Sequence, residues 1–155
     1  MAVIGLGNWL LADEGAGLHA IELLRTRITR ENVEIAVDLV DAGTPGMNLL
    51  HQFDERDKII FIDAGNCGLE PGQYRRFVPD DVVSIKKSDN FSLHEFDLIK
   101  FLEFARQLNP ENKTDIVIYG IQAAEIRMSE ELSNPVCAAL PRLVEDVFIE
   151  LQQGR

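Results

Sequence analysis

The sequence predicts an α/β protein: a three-layer αβα sandwich around a twisted, mostly parallel, five-stranded sheet with one antiparallel edge strand. Two observations carry this. Three short runs, Ala2-Val3-Ile4-Gly5-Leu6, Ile59-Ile60-Phe61-Ile62 and Ile116-Val117-Ile118-Tyr119, are apolar on both faces. Such runs suit central strands of a parallel sheet covered on both sides. Between them lie stretches with apolar residues three and four apart, the spacing of one helical face. No repeat, low-complexity stretch or Pro/Gly/Ser linker divides the 155 residues, so 1–155 is expected to be one domain.

The elements follow in order. After the first strand, Leu18, Ile21 and Leu24, with Leu23 beside them, form the stripe of a first helix. Val33, Ile35, Val37 and Leu39 alternate with Glu34, Ala36 and Asp38, which predicts a second strand over 33–39 with one wetter face. Residues 47–53 read as a short helix. Residues 73–78, polar and flanked by Gly72 and Pro79, follow the third strand by a short turn and read as the antiparallel edge strand. Leu98, Phe101, Leu102, Ala105 and Leu108 predict a helix over 94–108. The last helix is expected to start at Asn134 as N-cap with Pro135 at N1, and Pro141 is expected to kink it.

Composition narrows the function. There are 26 Asp+Glu against 15 Lys+Arg, a net charge of −11. Phosphate backbones repel such a chain, which argues against nucleic acid or an anionic membrane as the main partner. No apolar run approaches the roughly 18–20 residues of a bilayer span. Residues 1–15 carry no positive n-region and reach Asp13 and Glu14 early, unlike a cleaved secretion signal. Cys67 and Cys137 form no C-x-x-C pair; two inert, buried thiols in a reducing cytoplasm are the expectation.

In open α/β sheets ligands bind outside the carboxyl ends of the strands. The first strand runs into Gly5-Leu6-Gly7-Asn8-Trp9-Leu10-Leu11-Ala12-Asp13-Glu14-Gly15-Ala16-Gly17. This is not a dinucleotide loop: G-x-G-x-x-G needs glycine at position 10, where Leu10 stands, and the two acids would repel a pyrophosphate. Glu14 reads either as a ligand or catalytic carboxylate, or as a charge complementing the helix start that Asp13 caps. Asp41 ends the second strand in Asp41-Ala42-Gly43-Thr44-Pro45-Gly46, which also reads as a simple turn. Asp63 directly follows an apolar strand, where a carboxylate is costly unless paired; the alternative is a backbone cap. His94 follows the polar loop 88–93. A charged histidine is not favoured at a helix start, so a neutral, ligand-like imidazole suits that place. His19 and His51 read as structural or exposed.

Glu14, Asp63 and His94 are far apart in sequence, yet the predicted fold brings all three to one edge of the sheet. Two carboxylates and an imidazole make a three-ligand site for a divalent ion with open positions, suited to Ni²⁺, Zn²⁺ or Mn²⁺ without choosing among them.

The motif Gly5-x-Gly7-Asn8-x-Leu10-x-x-Asp13-Glu14-x-x-Gly17 resembles the opening motif of the hydrogenase maturation proteases, endopeptidases that process nickel–iron hydrogenase large subunits. Asp41-x-Gly43-Thr44-x-Gly46 resembles their second motif, Asp63-Ala64 and His94 fall at matching places, and Gly120-Ile121-Gln122 resembles a further one. Ala123 stands where the family often has proline, and the lead-in to the first strand is short. The resemblance implies removal of a C-terminal extension from the large-subunit precursor, a transient partner, after nickel insertion. It implies that Glu14, Asp63 and His94 engage nickel supplied by that precursor, for which zinc or another divalent ion can substitute in vitro. It further implies that Asp41 acts in recognition or cleavage, with Glu14 and Asp63 as further catalytic carboxylates of an aspartic or metal-dependent peptidase. A cytoplasmic monomer is expected. Ile4-Gly5-Leu6-Gly7-Asn8 also resembles the start of peptidyl-tRNA hydrolases, and a nickel-dependent chaperone that binds without cutting is a third reading.

Overall fold

Ala2–Leu6 forms β1, buried along its whole length, as its unbroken apolar run predicts. The structure is a computed structural model that describes residues 1–44, 46–53, 56–81, 92–93 and 97–154. The other strands are β2 (Asp38–Gly43), β3 (Lys58–Asn66), β4 (Tyr74–Phe77), β5 (Ser92–Leu93) and β6 (Asp115–Gln122). Five of them run in the order β2-β1-β3-β6-β4, and the two-residue β5 pairs with β3 off that path. β1 is parallel to β2 and β3, and β3 to β6; β4 lies antiparallel on β6 at the edge. This is the predicted mostly parallel sheet with one antiparallel edge strand.

Helices cover both faces. α1 (Ala16–Glu31) and α3 (Asn134–Gln153) lie on one, over Val3, Ile60, Ile62, Val117, Tyr119 and Ile121. α2 (Asp97–Leu108) and a 3-10 segment, Met47–Phe53, cover the other, over Ala2, Ile4, Leu6, Ile59, Phe61 and Ile118. The alternation along each strand divides the core into these two clusters. Asn32, in the left-handed conformation, ends α1. No helix among the described residues is long and apolar enough to cross a membrane.

Two expectations need correction. The second strand occupies 38–43 and not 33–39. The amide of Asp38 donates to the carbonyl of Met1, and ladder pairing with β1 begins there. Earlier, Ile35 and Val37 bond only to carbonyls two residues back. Val33, Ile35, Val37 and Leu39 still pack on the α1–α3 core, which explains their alternation without a ladder. The last helix has Ser133 as N-cap, one residue earlier than expected, and it continues through Pro141 to Gln153. α2 is described from Asp97; residue 94, the expected start of that helix, lies outside the described residues.

Candidate functional site

The carboxyl ends of β1, β2, β3 and β6 form one edge; Asp41 and Asp63 lie in the last parts of β2 and β3, and the segment leaving β1 carries Asp13 and Glu14. A 3-10 turn, Ala12–Gly15, follows β1 and carries Asp13 and Glu14. Gly7, with φ of 136°, lets the chain leave β1; a Cβ there would run into the backbone of Glu14. Gly17 sits at the start of α1, where a Cβ would strike the carbonyls of Leu6 and Ile62. These two glycines bring the start of α1 and the Glu14 turn down onto the strand ends. They serve backbone approach within the protein, and the spacing excludes a dinucleotide loop.

Asp13 and Glu14 are adjacent yet differently placed. Asp13 is fully buried, while Glu14 is only partly so. No side chain caps α1; the Asp13 carboxylate turns away to the loop 123–133. Its Oδ2 accepts from the amides of Ala124 (2.8 Å) and Glu125 (3.0 Å) and from the Ser133 hydroxyl (2.8 Å). Its Oδ1 accepts from the Ser133 amide (2.7 Å). Four donors compensate the burial of this carboxylate, and its charge stands at the positive end of α3. The expectation that Asp13 caps the helix after its own turn is therefore wrong: its carboxylate serves the loop 123–133 instead.

Asp63 lies in the last part of β3, three residues before its end at Asn66, fully buried and matched with Gly120 of β6. Its Oδ1 accepts from the amide of Ala64 at 2.9 Å, the backbone-capping role. By strand alternation it shares the face of Ile59 and Phe61, which α2 and the 3-10 segment cover. The Glu14 turn lies against β3. Leu93, the residue before His94, pairs with Gly65, two residues beyond Asp63. His94 itself lies outside the described residues. Among the described residues no three His, Cys, Asp or Glu side chains are grouped to hold a metal ion.

Asp41 is exposed at the end of β2, where the pairing with β1 slips and leaves Ala42 unmatched. Its Oδ1 accepts from the Gly43 amide (3.3 Å) and its Oδ2 from the Trp9 indole (3.0 Å). The Trp9 ring meets His19 of α1 edge-on, centroids 4.6 Å apart. Burial lowers the pKa of His19, partly offset by a backbone hydrogen bond. Asp41 is thus drawn to the α1 side. β1 separates β2 from β3, so Asp41 and Asp63 stand roughly 10 Å apart across two strand spacings.

Gln122, in the third motif, has a role that its residue type alone does not announce. Its Oε1 accepts from the amides of Cys67 (2.8 Å) and Leu69 (3.1 Å), which fastens the loop after β3 to the end of β6. A polar residue ending a buried strand was the available signal. Cys67 is buried, as expected, and burial, with the Asp63 charge adding to it, pushes its thiol up to about 12. Cys137 is exposed, contrary to expectation, on the outer side of α3.

Fold and edge together define an α/β protein with acids gathered at the carboxyl ends of a parallel sheet. Solved structures of that design include the [NiFe] hydrogenase maturation protease HybD from Thermococcus kodakarensis, with a TM-score of 0.79, 27% identity and 97% of each chain covered. The hydrogenase maturating endopeptidase HybD from E. coli gives 0.80, with 26% identity over 99% of this chain and 92% of that one.

The hydrogenase maturation protease family matches residues 18–150, and the chain belongs to that family. A putative hydrogenase maturation protease of Methanocaldococcus jannaschii is 31% identical over 97% of this chain and 96% of its own length. The hydrogenase expression/formation protein HupD of Thiocapsa roseopersicina is 33% identical over 80% of the chain, which spans 54% of that relative's length. Membership decides between the two families that the opening residues resemble.

Proposed function

We propose that this chain is an endopeptidase that removes the C-terminal extension of a nickel-loaded [NiFe]-hydrogenase large-subunit precursor. Glu14, Asp63 and His94 recognise nickel that the precursor brings. One observation carries the reading: the Glu14 turn lies against β3, the strand that holds Asp63, and the residue before His94 pairs with Gly65 of that same strand. A set of two carboxylates and an imidazole suits a borderline divalent ion. The partly buried Glu14 leaves an approach from solvent.

In this reading the three side chains hold the precursor's metal centre against the sheet edge, which places the scissile peptide beside it. Hydrolysis adds water across the amide: the C–N bond breaks, the carbonyl carbon gains a hydroxyl and the leaving nitrogen gains a proton. Asp41, oriented by Trp9 and Gly43, is the carboxylate available to move protons at the rim of that site. The protein acts in the cytoplasm as a monomer that binds its precursor transiently.

The test is the mass of a nickel-loaded precursor before and after incubation. Loss of a short C-terminal peptide with wild type, and its strong reduction with Glu14→Gln or Asp63→Asn, is the expected result. Undiminished cleavage by Glu14→Gln removes Glu14 from the site. A stable complex without a mass change replaces the peptidase by a binding protein.

A further inference from the structure

The Asp13 carboxylate is fully buried and accepts four hydrogen bonds, from Ala124, Glu125 and twice from Ser133. Backbone bonds run alongside. The amide of Ala12 donates to the Ser129 carbonyl, and the Ser129 amide donates to the Leu10 carbonyl at 2.9 Å. All these bonds join one short turn to one loop, 123–133, between β6 and α3. The turn offers little apolar anchorage of its own: Ala12 is its one buried hydrophobic residue. Its seat at the sheet edge is therefore held by polar bonds centred on Asp13. Glu14 is the next residue, so a tilt of the turn carries Glu14 with it.

From this geometry we infer that Asp13 is a positioning residue for Glu14: it holds the turn that carries Glu14 by acting as a four-bond acceptor for the loop 123–133 and the start of α3. The inference rests on Glu14 serving the proposed site. Ser133 takes part from the other side. Its hydroxyl is spent on Asp13 and makes no cap bond to its own helix. Asparagine at position 13 places an NH₂ where one oxygen now accepts, so at least one donor faces another donor.

The experiment compares wild type, Asp13→Asn, Ser133→Ala and Ser133→Thr. Site-resolved amide hydrogen exchange over 12–15 and 124–133 reads the turn directly. Initial rates on the nickel-loaded precursor, taken well below each variant's melting temperature, read the consequence. Asp13→Asn is expected to accelerate exchange in both segments and to lower kcat about tenfold or more with little change in KM, because the reacting geometry and not precursor docking is disturbed. Ser133→Ala is expected to lose roughly threefold, and Ser133→Thr, which keeps the hydroxyl, to restore the rate. Unchanged exchange over 12–15, or an unchanged kcat, in folded Asp13→Asn overturns the inference. Should that variant not fold, the serine pair decides: equal exchange and rate in Ser133→Ala and wild type overturns it, and a loss that threonine repairs upholds it. If wild type leaves the precursor uncut, the peptidase reading fails by itself, and the exchange data still decide whether Asp13 holds the turn.

Discussion

The indole nitrogen of Trp9 donates to Oδ2 of Asp41 at 3.0 Å, tying an exposed ring on the loop after β1 to an acid near the end of β2. Replacing Trp9 with Phe keeps an aromatic edge for His19 and removes the donor. Because the bond is exposed, stability is expected to change by less than about 1 kcal/mol. The initial rate of precursor processing is expected to fall several-fold, since Asp41 loses one of the two bonds that orient it. Rate and thermal melting measured together check this. An unaltered rate would show that the orientation of Asp41 does not matter to the reaction.

Gln122 holds two loop amides with one oxygen. Gln122→Ala leaves both without that acceptor, and an unfolding free energy lower by about 1–3 kcal/mol is expected, read from urea denaturation. The freed loop contains Cys67, whose thiol is buried and pushed up to about 12, so little reaction with a thiol reagent is expected in the native protein. Mass mapping after brief maleimide treatment at neutral pH should find only Cys137 labelled in wild type and both cysteines labelled in Gln122→Ala. Persistent protection of Cys67 in the variant would contradict the fastening role.

At the opposite end of the sheet, Glu150 of α3 is a hub. Arg76 donates to it twice, the Lys58 ammonium lies at 2.7 Å and the Tyr119 hydroxyl donates at 2.7 Å. Burial works to raise its pKa, but the bonds from Arg76, Lys58 and Tyr119 outweigh it and lower the carboxyl from an ordinary 4.5 to about 2. A depressed folded value means that the ionised form stabilises the fold. That contribution is complete above the unfolded value near 4.5 and is lost as pH falls through about 2. Glu150→Gln should therefore be less stable than wild type at pH 7, and the gap should close as pH drops from about 4.5 towards 2. A gap that stays constant over that range would show that the hub is not held by ionisation.

Much of the fold is legible in the amino-acid order because burial on both faces leaves a local mark. Residues 2–6, 59–62 and 116–119 cannot be solvent-exposed at reasonable cost, so their place in the middle of a covered sheet follows from composition alone. The second strand was less legible. Alternation over 33–39 records which side chains meet the core, and not where a neighbouring strand begins to offer hydrogen bonds. The ladder starts at Asp38 for that reason.

Acids at the strand ends can be picked out one by one, since a carboxylate after an apolar run demands a partner. Which partner it finds is not written nearby. Local rules send Asp13 to the helix it precedes, yet its carboxylate bonds to Ser133, 120 positions away. Strand order has the same standing. It puts β1 between Asp41 and Asp63 and lays Leu93 beside Gly65 of the strand that holds Asp63. Residue types and spacings thus settle which groups stand at the edge. Where each side chain goes, and the unequal burial of the adjacent Asp13 and Glu14, arises from packing between elements distant in the chain, because hydrogen bonds and face assignments depend on neighbours in space.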